Sequence, residues 1–86
     1  MFDLIIVGAG ILGTFHAYHA SRAGLRVLLL EKDNRPVGAT VRNFGQVVPG
    51  GLAGRWFDYG RRTLEIYADL QTKTDLSLRR NGSIYV

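Results

Sequence analysis

The chain has 86 residues, a formal net charge of +4 and no cysteine. The lack of cysteine excludes disulfides, thiolate metal ligands and a cysteine nucleophile, and an apolar fraction of 47% is typical of a globular protein rather than a disordered one. Five Lys/Arg in residues 1–50 and six in residues 51–86 form no basic stripe, so we expect no nucleic-acid partner.

The first 31 residues show the order strand, glycine turn, helix, glycine, strand. The apolar run Phe2–Val7 predicts a strand buried on both faces, as in a parallel sheet. Ile11–Ala23 predicts a helix that ends at Gly24, and Val27–Leu30 predicts a second strand. The predicted fold class is therefore α/β, with a Rossmann-like βαβ unit.

The remaining residues predict a glycine-rich loop, a helix and a β-hairpin. Seven Gly or Pro residues interrupt Lys32–Gly54, and loops of this length are usually functional. Apolar residues at three- and four-residue spacing predict a helix over Arg55–Thr72. Asn81-Gly82 favours a type I′ turn within Leu76–Val86, which would form a hairpin.

Two features of the N-terminus indicate a cytoplasmic protein without a membrane span. Met1-Phe2-Asp3 lacks the basic start of a signal peptide. The apolar run Leu4–Leu12 is far shorter than the ~20 residues that cross a bilayer.

A Gly-x-Gly-x-x-Gly pattern directly follows the first strand and opens the helix, the context that distinguishes a dinucleotide site from a chance match. Gly8 permits the tight turn, Gly10 lets a pyrophosphate approach the backbone, and Gly13 allows close helix–strand packing. The pyrophosphate would lie on the N–H groups of Ile11 and Leu12, at the positive end of the helix dipole.

Glu31 ends the second strand 18 residues after Gly13, close to the offset expected of an acid that binds ribose hydroxyls. Its charge would repel the 2′-phosphate of NADP. The fingerprint alone leaves FAD and NAD open, but its extreme N-terminal position and the long loop after the second strand favour FAD. His16 and His19 have no nearby Cys or acid to complete a metal site, so we expect no metal.

The fingerprint, Glu31 and the Gly-Ala-Thr-x-x-Asn-x-Gly-Gln stretch of residues 38–46 together resemble the N-terminal segment of the FAD-dependent amine and amino-acid oxidoreductases. This family includes glycine oxidase, sarcosine oxidase and D-amino-acid dehydrogenase. Val41–Gly45 looks closest to a subgroup associated with phosphonate metabolism. The resemblance implies FAD as cofactor and oxidation of an amine or amino acid by hydride transfer to flavin.

Proteins of this family are several times longer than 86 residues. The resemblance implies that residues 1–86 are the N-terminal part of an FAD-binding domain, that the substrate domain is absent from this chain, and that the chain associates with the remainder of the enzyme. Two alternatives are an NAD-binding oxidoreductase segment and a truncated, non-catalytic nucleotide-binding fragment.

The resemblance also implies roles for single residues. Glu31 would bind the adenosine ribose with Lys32 beside it, Ala39 and Thr40 would contact the phosphates or ribityl chain, and Asn43 would orient a turn along the flavin ring. No catalytic side chain is predicted, because the family's substrate-binding residues lie mostly outside this chain. The predicted cofactor-binding set is Gly8, Gly10, Ile11, Leu12, Gly13, Glu31, Lys32, Ala39, Thr40, Asn43, Phe44, Gly45 and Gln46.

Overall fold

The computed structural model describes residues 1–43 and 45–82. The chain divides into two compact units, Met1–Phe44 and Gly45–Val86, and each is described by itself. The first unit contains strand β1, helix α1, strand β2 and a 3-10 turn, at Leu4–Val7, Ile11–Arg22, Val27–Leu30 and Ala39–Val41. The second contains a 3-10 turn and helix α2, at Pro49–Gly51 and Arg55–Lys73.

Strands β1 and β2 pair in parallel, in a register that runs from Leu4 opposite Val27 to Val7 opposite Leu30. Helix α1 connects them and packs against both. The predicted βαβ unit and the α/β fold class are thus confirmed. β1 begins at Leu4 rather than Phe2. The N–H groups of Asp3 and Leu4 both donate to the carbonyl of Arg26, the residue before β2.

Glycines define the start and the close packing of α1. Gly10 precedes the helix with an extended backbone, and Gly24 lies just after its end at φ +86°. Gly24 therefore adopts the left-handed conformation that ends many helices and that side chains disfavour. A Cβ at Gly13 would collide with the carbonyl oxygen of Gly8, so α1 approaches the end of β1 as closely as only glycine permits.

The prediction that β1 is buried on both faces is wrong for this chain. Leu4 and Ile6 are half-buried on the face toward α1, whereas Ile5 is 58% and Val7 is 84% exposed. The reason is that α1 covers only one face of the two-stranded sheet.

In the second unit, α2 packs against the 3-10 turn that precedes it. A Cβ on Gly60 would lie 2.6 Å from Cβ of Pro49 and 3.2 Å from Cδ1 of Leu52. The helix predicted over Arg55–Thr72 is confirmed, and Gly60, an unfavourable residue in a helix interior, marks its closest approach to the turn.

The first arm of the predicted hairpin is absent, since residues 75–82 form no strand. The side-chain amide oxygen of Gln71 accepts the N–H groups of Leu76 and Leu78, at 2.7 and 3.3 Å. The carboxylate of Asp75 accepts the N–H of Ser77 at 2.8 Å. These backbone N–H groups are thus hydrogen-bonded to nearby side chains and are not available to pair with a neighbouring strand.

The predicted type I′ turn at Asn81-Gly82 is not formed either. That turn needs positive φ at both residues, and among the described non-glycine residues only Ser77 has one. The second arm, residues 83–86, lies outside the described residues.

No helix within the described residues is long and apolar enough to span a bilayer. The cytoplasmic location stays a prediction.

Candidate functional site

The glycine turn connects the end of β1 to the start of α1. Gly8 donates its N–H to the carbonyl of Leu30 at 2.6 Å, which extends the strand pairing by one residue. Gly8 then adopts φ +105°, a conformation that side chains rarely tolerate. The first helical hydrogen bond runs from the N–H of Thr14 to the carbonyl of Gly10 at 2.9 Å. The chain therefore turns from strand to helix within three residues.

Two of the first N–H groups of α1 remain open. The N–H of Ile11 donates to Oγ1 of Thr40 at 2.9 Å. The N–H groups of Leu12 and Gly13 have no acceptor within the described residues. Helix N-termini with open N–H groups bind phosphate, because the helix dipole adds to the hydrogen bonds. Thr40 accepts from Ile11 through its oxygen, so its own hydroxyl hydrogen is available to a ligand.

Glu31 reaches the glycine turn from the end of β2. Its Oε2 accepts the N–H of Ala9 at 2.8 Å, and its Oε1 accepts the N–H of Asp33 at 3.2 Å. These two backbone hydrogen bonds, that of Ala9 foremost, lower the pKa of Glu31 below its ordinary value. The carboxylate is therefore ionised at neutral pH and keeps acceptor capacity for ribose hydroxyls.

The 3-10 turn at Ala39–Val41 is held by two side chains. Asn43 donates from its side-chain amide to the carbonyls of Ala39 and Thr40, at 3.2 and 2.7 Å. Arg42 donates from Nε to the carbonyl of Val37 at 3.1 Å. These contacts fix the turn that presents Thr40 to the helix N-terminus.

An open cleft of about 320 Å³ lies between the glycine turn, the end of β2 and the following loop. Five residues of the predicted set line it: Gly10, Glu31, Lys32, Ala39 and Thr40. A Cβ at Gly10 would lie 3.1 Å from Oγ1 of Thr40, so a side chain there would take up space beside that hydroxyl.

Four residues outside the predicted set also line the cleft: Asp33, Pro36, Val37 and Gly38. The only sequence signal for them is their place between Lys32 and Ala39.

The cleft lining does not include five other predicted residues of the first unit: Gly8, Ile11, Leu12, Gly13 and Asn43. Gly45 and Gln46 belong to the second unit, where both are exposed and Gly45 has φ +66°. Phe44 lies outside the described residues. Across residues 1–43 and 45–82, no three His, Cys, Asp or Glu side chains are grouped to hold a metal ion.

Comparison with known proteins decides the family. The sequence matches the family of FAD dependent oxidoreductases over residues 3–86. The chain belongs to this family. FAD, rather than the NAD that the fingerprint left open, is the family's cofactor.

Individual relatives resemble the chain at moderate identity. An uncharacterized oxidoreductase, YurR of Bacillus subtilis, is 33% identical over 95 residues, which cover 100% of this chain and 25% of the relative. Sarcosine oxidase subunit alpha of a Corynebacterium species is 45% identical over 58 residues, covering 65% of this chain and 6% of the relative.

A third relative, digeranylgeranylglycerophospholipid reductase 2 of Methanothermobacter thermautotrophicus, is 44% identical over 46 residues, covering 54% of this chain and 12% of the relative. The chain thus spans a quarter or less of the length of these three relatives. No solved structure is significantly similar to it.

The cleft and the adjoining N-terminus of α1 together fit the adenosine and pyrophosphate part of FAD. Gly10 leaves room where a side chain would intrude, Leu12 and Gly13 offer open N–H groups, and Glu31 is an ionised acceptor. These are the donor and acceptor types that a pyrophosphate and a ribose require.

Proposed function

We propose that the chain is the FAD-binding part of an oxidoreductase that oxidises an amine or amino acid by hydride transfer to flavin. The observation that carries the proposal is the convergence of Gly10, Glu31 and Thr40 on one cleft beside the N-terminus of α1. The family supplies the cofactor and the class of reaction. The amine substrate is supported by the stretch at residues 38–46 and by the similarity to sarcosine oxidase subunit alpha.

In this proposal different groups of residues bind different parts of FAD. The Leu12 and Gly13 N–H groups and the Thr40 hydroxyl bind the pyrophosphate, whose two negative charges meet the positive end of the α1 dipole. Glu31 accepts hydrogen bonds from the adenosine ribose, with Lys32 beside it at the cleft wall. Gly45 and Gln46 contact the isoalloxazine ring, as the resemblance implies.

When bound, FAD would supply the acceptor for a hydride from the C–H bond next to the substrate nitrogen. The residues named above would bind and orient the cofactor, and we assign no catalytic side chain among them. The substrate domain and the rest of the cofactor domain belong to the remainder of the enzyme, with which we propose that this chain associates. No nucleic acid takes part.

The cofactor is tested by purifying the protein with its bound flavin and precipitating it with acid. We expect non-covalent FAD, because the chain has no cysteine to tether it and its two histidines, His16 and His19, lie on α1 and do not line the cleft. The supernatant should be yellow and the pellet colourless. A yellow pellet would show a covalent flavin, and a colourless protein that also fails to bind added FAD would contradict the cofactor assignment.

The substrate class is tested on the flavoprotein assembled with the remainder of the enzyme, by mixing it anaerobically with sarcosine, glycine, D-alanine and an aminoalkyl phosphonate, the last because of the Val41–Gly45 stretch. Bleaching of the visible flavin absorbance by one of these amines is the expected result. Flavin that is reduced by NADH or NADPH but by none of the amines would instead indicate a reductase.

A further inference from the structure

Glu31 is hydrogen-bonded to the middle of the glycine turn. Its Oε2 lies 2.8 Å from the backbone N of Ala9, which stands 22 positions earlier in the sequence. Ala9 lies between Gly8 and Gly10, the two glycines nearest the pyrophosphate position. The carboxylate thus contacts the backbone of the phosphate-binding turn itself, and not only the cleft where a ribose would lie.

The other oxygen of Glu31 is also engaged. Oε1 accepts the N–H of Asp33 at 3.2 Å, which fixes the side chain relative to the end of β2. The charged groups beside it at the cleft are Lys32 and Asp33. With one backbone hydrogen bond on each oxygen, the carboxylate has a defined position before any ligand arrives, and each oxygen can still accept a second hydrogen bond.

The turn needs such a restraint. Glycine populates positive and negative φ about equally, so a peptide flanked by two glycines has little intrinsic preference for one orientation. A charge-assisted hydrogen bond is about twice as strong as a neutral one. The bond from Ala9 to Glu31 therefore selects one orientation of the turn, and with it the direction of the N–H groups that follow.

We propose that Glu31 is a positioning residue for the pyrophosphate-binding turn, acting through the N–H of Ala9, in addition to binding the ribose. This inference rests on the proposed function, because it concerns the same FAD site. It assigns Glu31 a share of the affinity for the phosphate half of the ligand, which it does not itself touch.

A ligand without ribose hydroxyls separates the two roles. The probes are FAD and an FAD analogue that lacks the 2′ and 3′ hydroxyls of the adenosine ribose, titrated into the apoprotein. Loss of a charged hydrogen bond typically weakens binding about tenfold or more. We expect Glu31→Ala to weaken binding of FAD about a hundredfold and binding of the dideoxy analogue still about tenfold. If Glu31→Ala does not change the affinity for the analogue, the positioning role is overturned and Glu31 acts only through its contact with the ribose.

Glu31→Gln is the matched variant. Its amide oxygen still accepts from Ala9 but carries no charge, so it should recover part of the analogue affinity that Glu31→Ala loses. If Glu31→Gln binds the analogue as weakly as Glu31→Ala does, residue 31 does not act by accepting the N–H of Ala9.

A second measurement needs no FAD. The amide proton of Ala9, followed by NMR in the apoprotein, should shift with pH as Glu31 titrates, with a midpoint below the ordinary glutamate pKa of 4.5. In Glu31→Gln that titration should vanish. An Ala9 amide that does not follow Glu31 would overturn the inference. If the Ala9 amide titrates as expected but FAD does not bind, the proposed function fails and the backbone contact stands.

Discussion

The hydroxyl oxygen of Thr40 accepts the N–H of Ile11 at 2.9 Å, across 29 positions of sequence. Helix α1 begins after Gly10, which has no side chain with which to cap it. Thr40 therefore serves as the missing N-cap from a distant loop, and the same bond holds that loop against the helix N-terminus. Because the oxygen is used toward Ile11, the hydroxyl hydrogen remains for a phosphate oxygen.

The first prediction concerns this contact. Thr40→Val removes the acceptor with little change of shape, and we expect it to lower the free energy of unfolding by about 1 kcal/mol, the usual effect of losing an N-cap. FAD affinity should fall about tenfold, since a phosphate donor is lost as well. Thr40→Ser keeps the hydroxyl and is the control. Equal losses in the two variants, by denaturant unfolding and FAD titration, would show that the hydroxyl is not responsible.

The second prediction concerns the packing of α1 on the turn. A Cβ at Gly13 meets the carbonyl oxygen of Gly8 and lies 3.3 Å from Cγ2 of Ile6. Backbone cannot move aside as a side-chain end can, so we expect Gly13→Ala to destabilise the protein by about 3 kcal/mol, the upper end of overpacking effects. Gly38→Ala is the control, since a Cβ there meets nothing within 4 Å. It should change stability by less than about 1 kcal/mol. Chemical denaturation of both variants provides the comparison.

A third prediction concerns the N-terminal ends of β1 and β2, which lie away from the glycine turn. Asp3 accepts two hydrogen bonds from the guanidinium of Arg26, at 2.9 and 3.0 Å, and one from its backbone N–H at 2.8 Å. The side-chain bonds foremost, and then the backbone bond, lower the pKa of Asp3 below its ordinary value. The pair joins the two strands just before their ladder begins.

Because the folded pKa of Asp3 is depressed, its contribution to stability is present above the unfolded pKa of about 3.9. It is lost as pH falls through the folded value. Thermal midpoints of the wild type should therefore drop toward those of Asp3→Asn below about pH 4 and exceed them at pH 7. Glu65→Gln, which breaks an exposed pair with Arg62, is the control and should have little effect. A pH-independent difference between wild type and Asp3→Asn would contradict the ion pair.

The fourth prediction is that Gly60→Ala has the opposite effect on stability from the usual Gly→Ala substitution in a helix. Gly→Ala in an exposed helix interior normally stabilises a protein by about 1 kcal/mol. At Gly60 the new Cβ would lie 2.6 Å from Cβ of Pro49, whose ring is rigid. We expect Gly60→Ala to destabilise the protein by about 1 kcal/mol or more, because the clash exceeds the propensity gain. A raised thermal midpoint would show that the helix does not approach the turn so closely.

The features that sequence predicts well here are those set by near neighbours. Apolar runs, the glycine pattern and Gly24 define the βαβ unit, because each acts within a few residues. The contacts of Ile11 with Thr40 and of Ala9 with Glu31 join residues more than 20 positions apart, and nothing in the local pattern specifies them. Sequence indicated that these residues belong to one site but not that they bond to each other.

The failed hairpin has a similar cause. Alternation at Leu76 and Leu78 is typical of a strand, but Gln71, in the last turn of α2, accepts both of their N–H groups. Side-chain capping of this kind competes with strand pairing and leaves no periodic signal. The exposure of Ile5 and Val7 was also unpredicted, since an apolar run specifies a strand that can be covered and not what covers it.

The most direct test of a pyrophosphate site at the glycine turn is titration of the apoprotein with FAD, followed by quenching of flavin fluorescence. The titration compares the wild type, Gly10→Val and Arg22→Ala. A branched side chain at Gly10 would occupy the space beside Thr40 that the pyrophosphate needs. Arg22 ends α1, where it donates to the hydroxyl of Tyr18, and serves as the control. We expect saturable FAD binding by the wild type and by Arg22→Ala, and no FAD binding by Gly10→Val. Equal affinities in all three proteins would contradict a pyrophosphate site at the glycine turn.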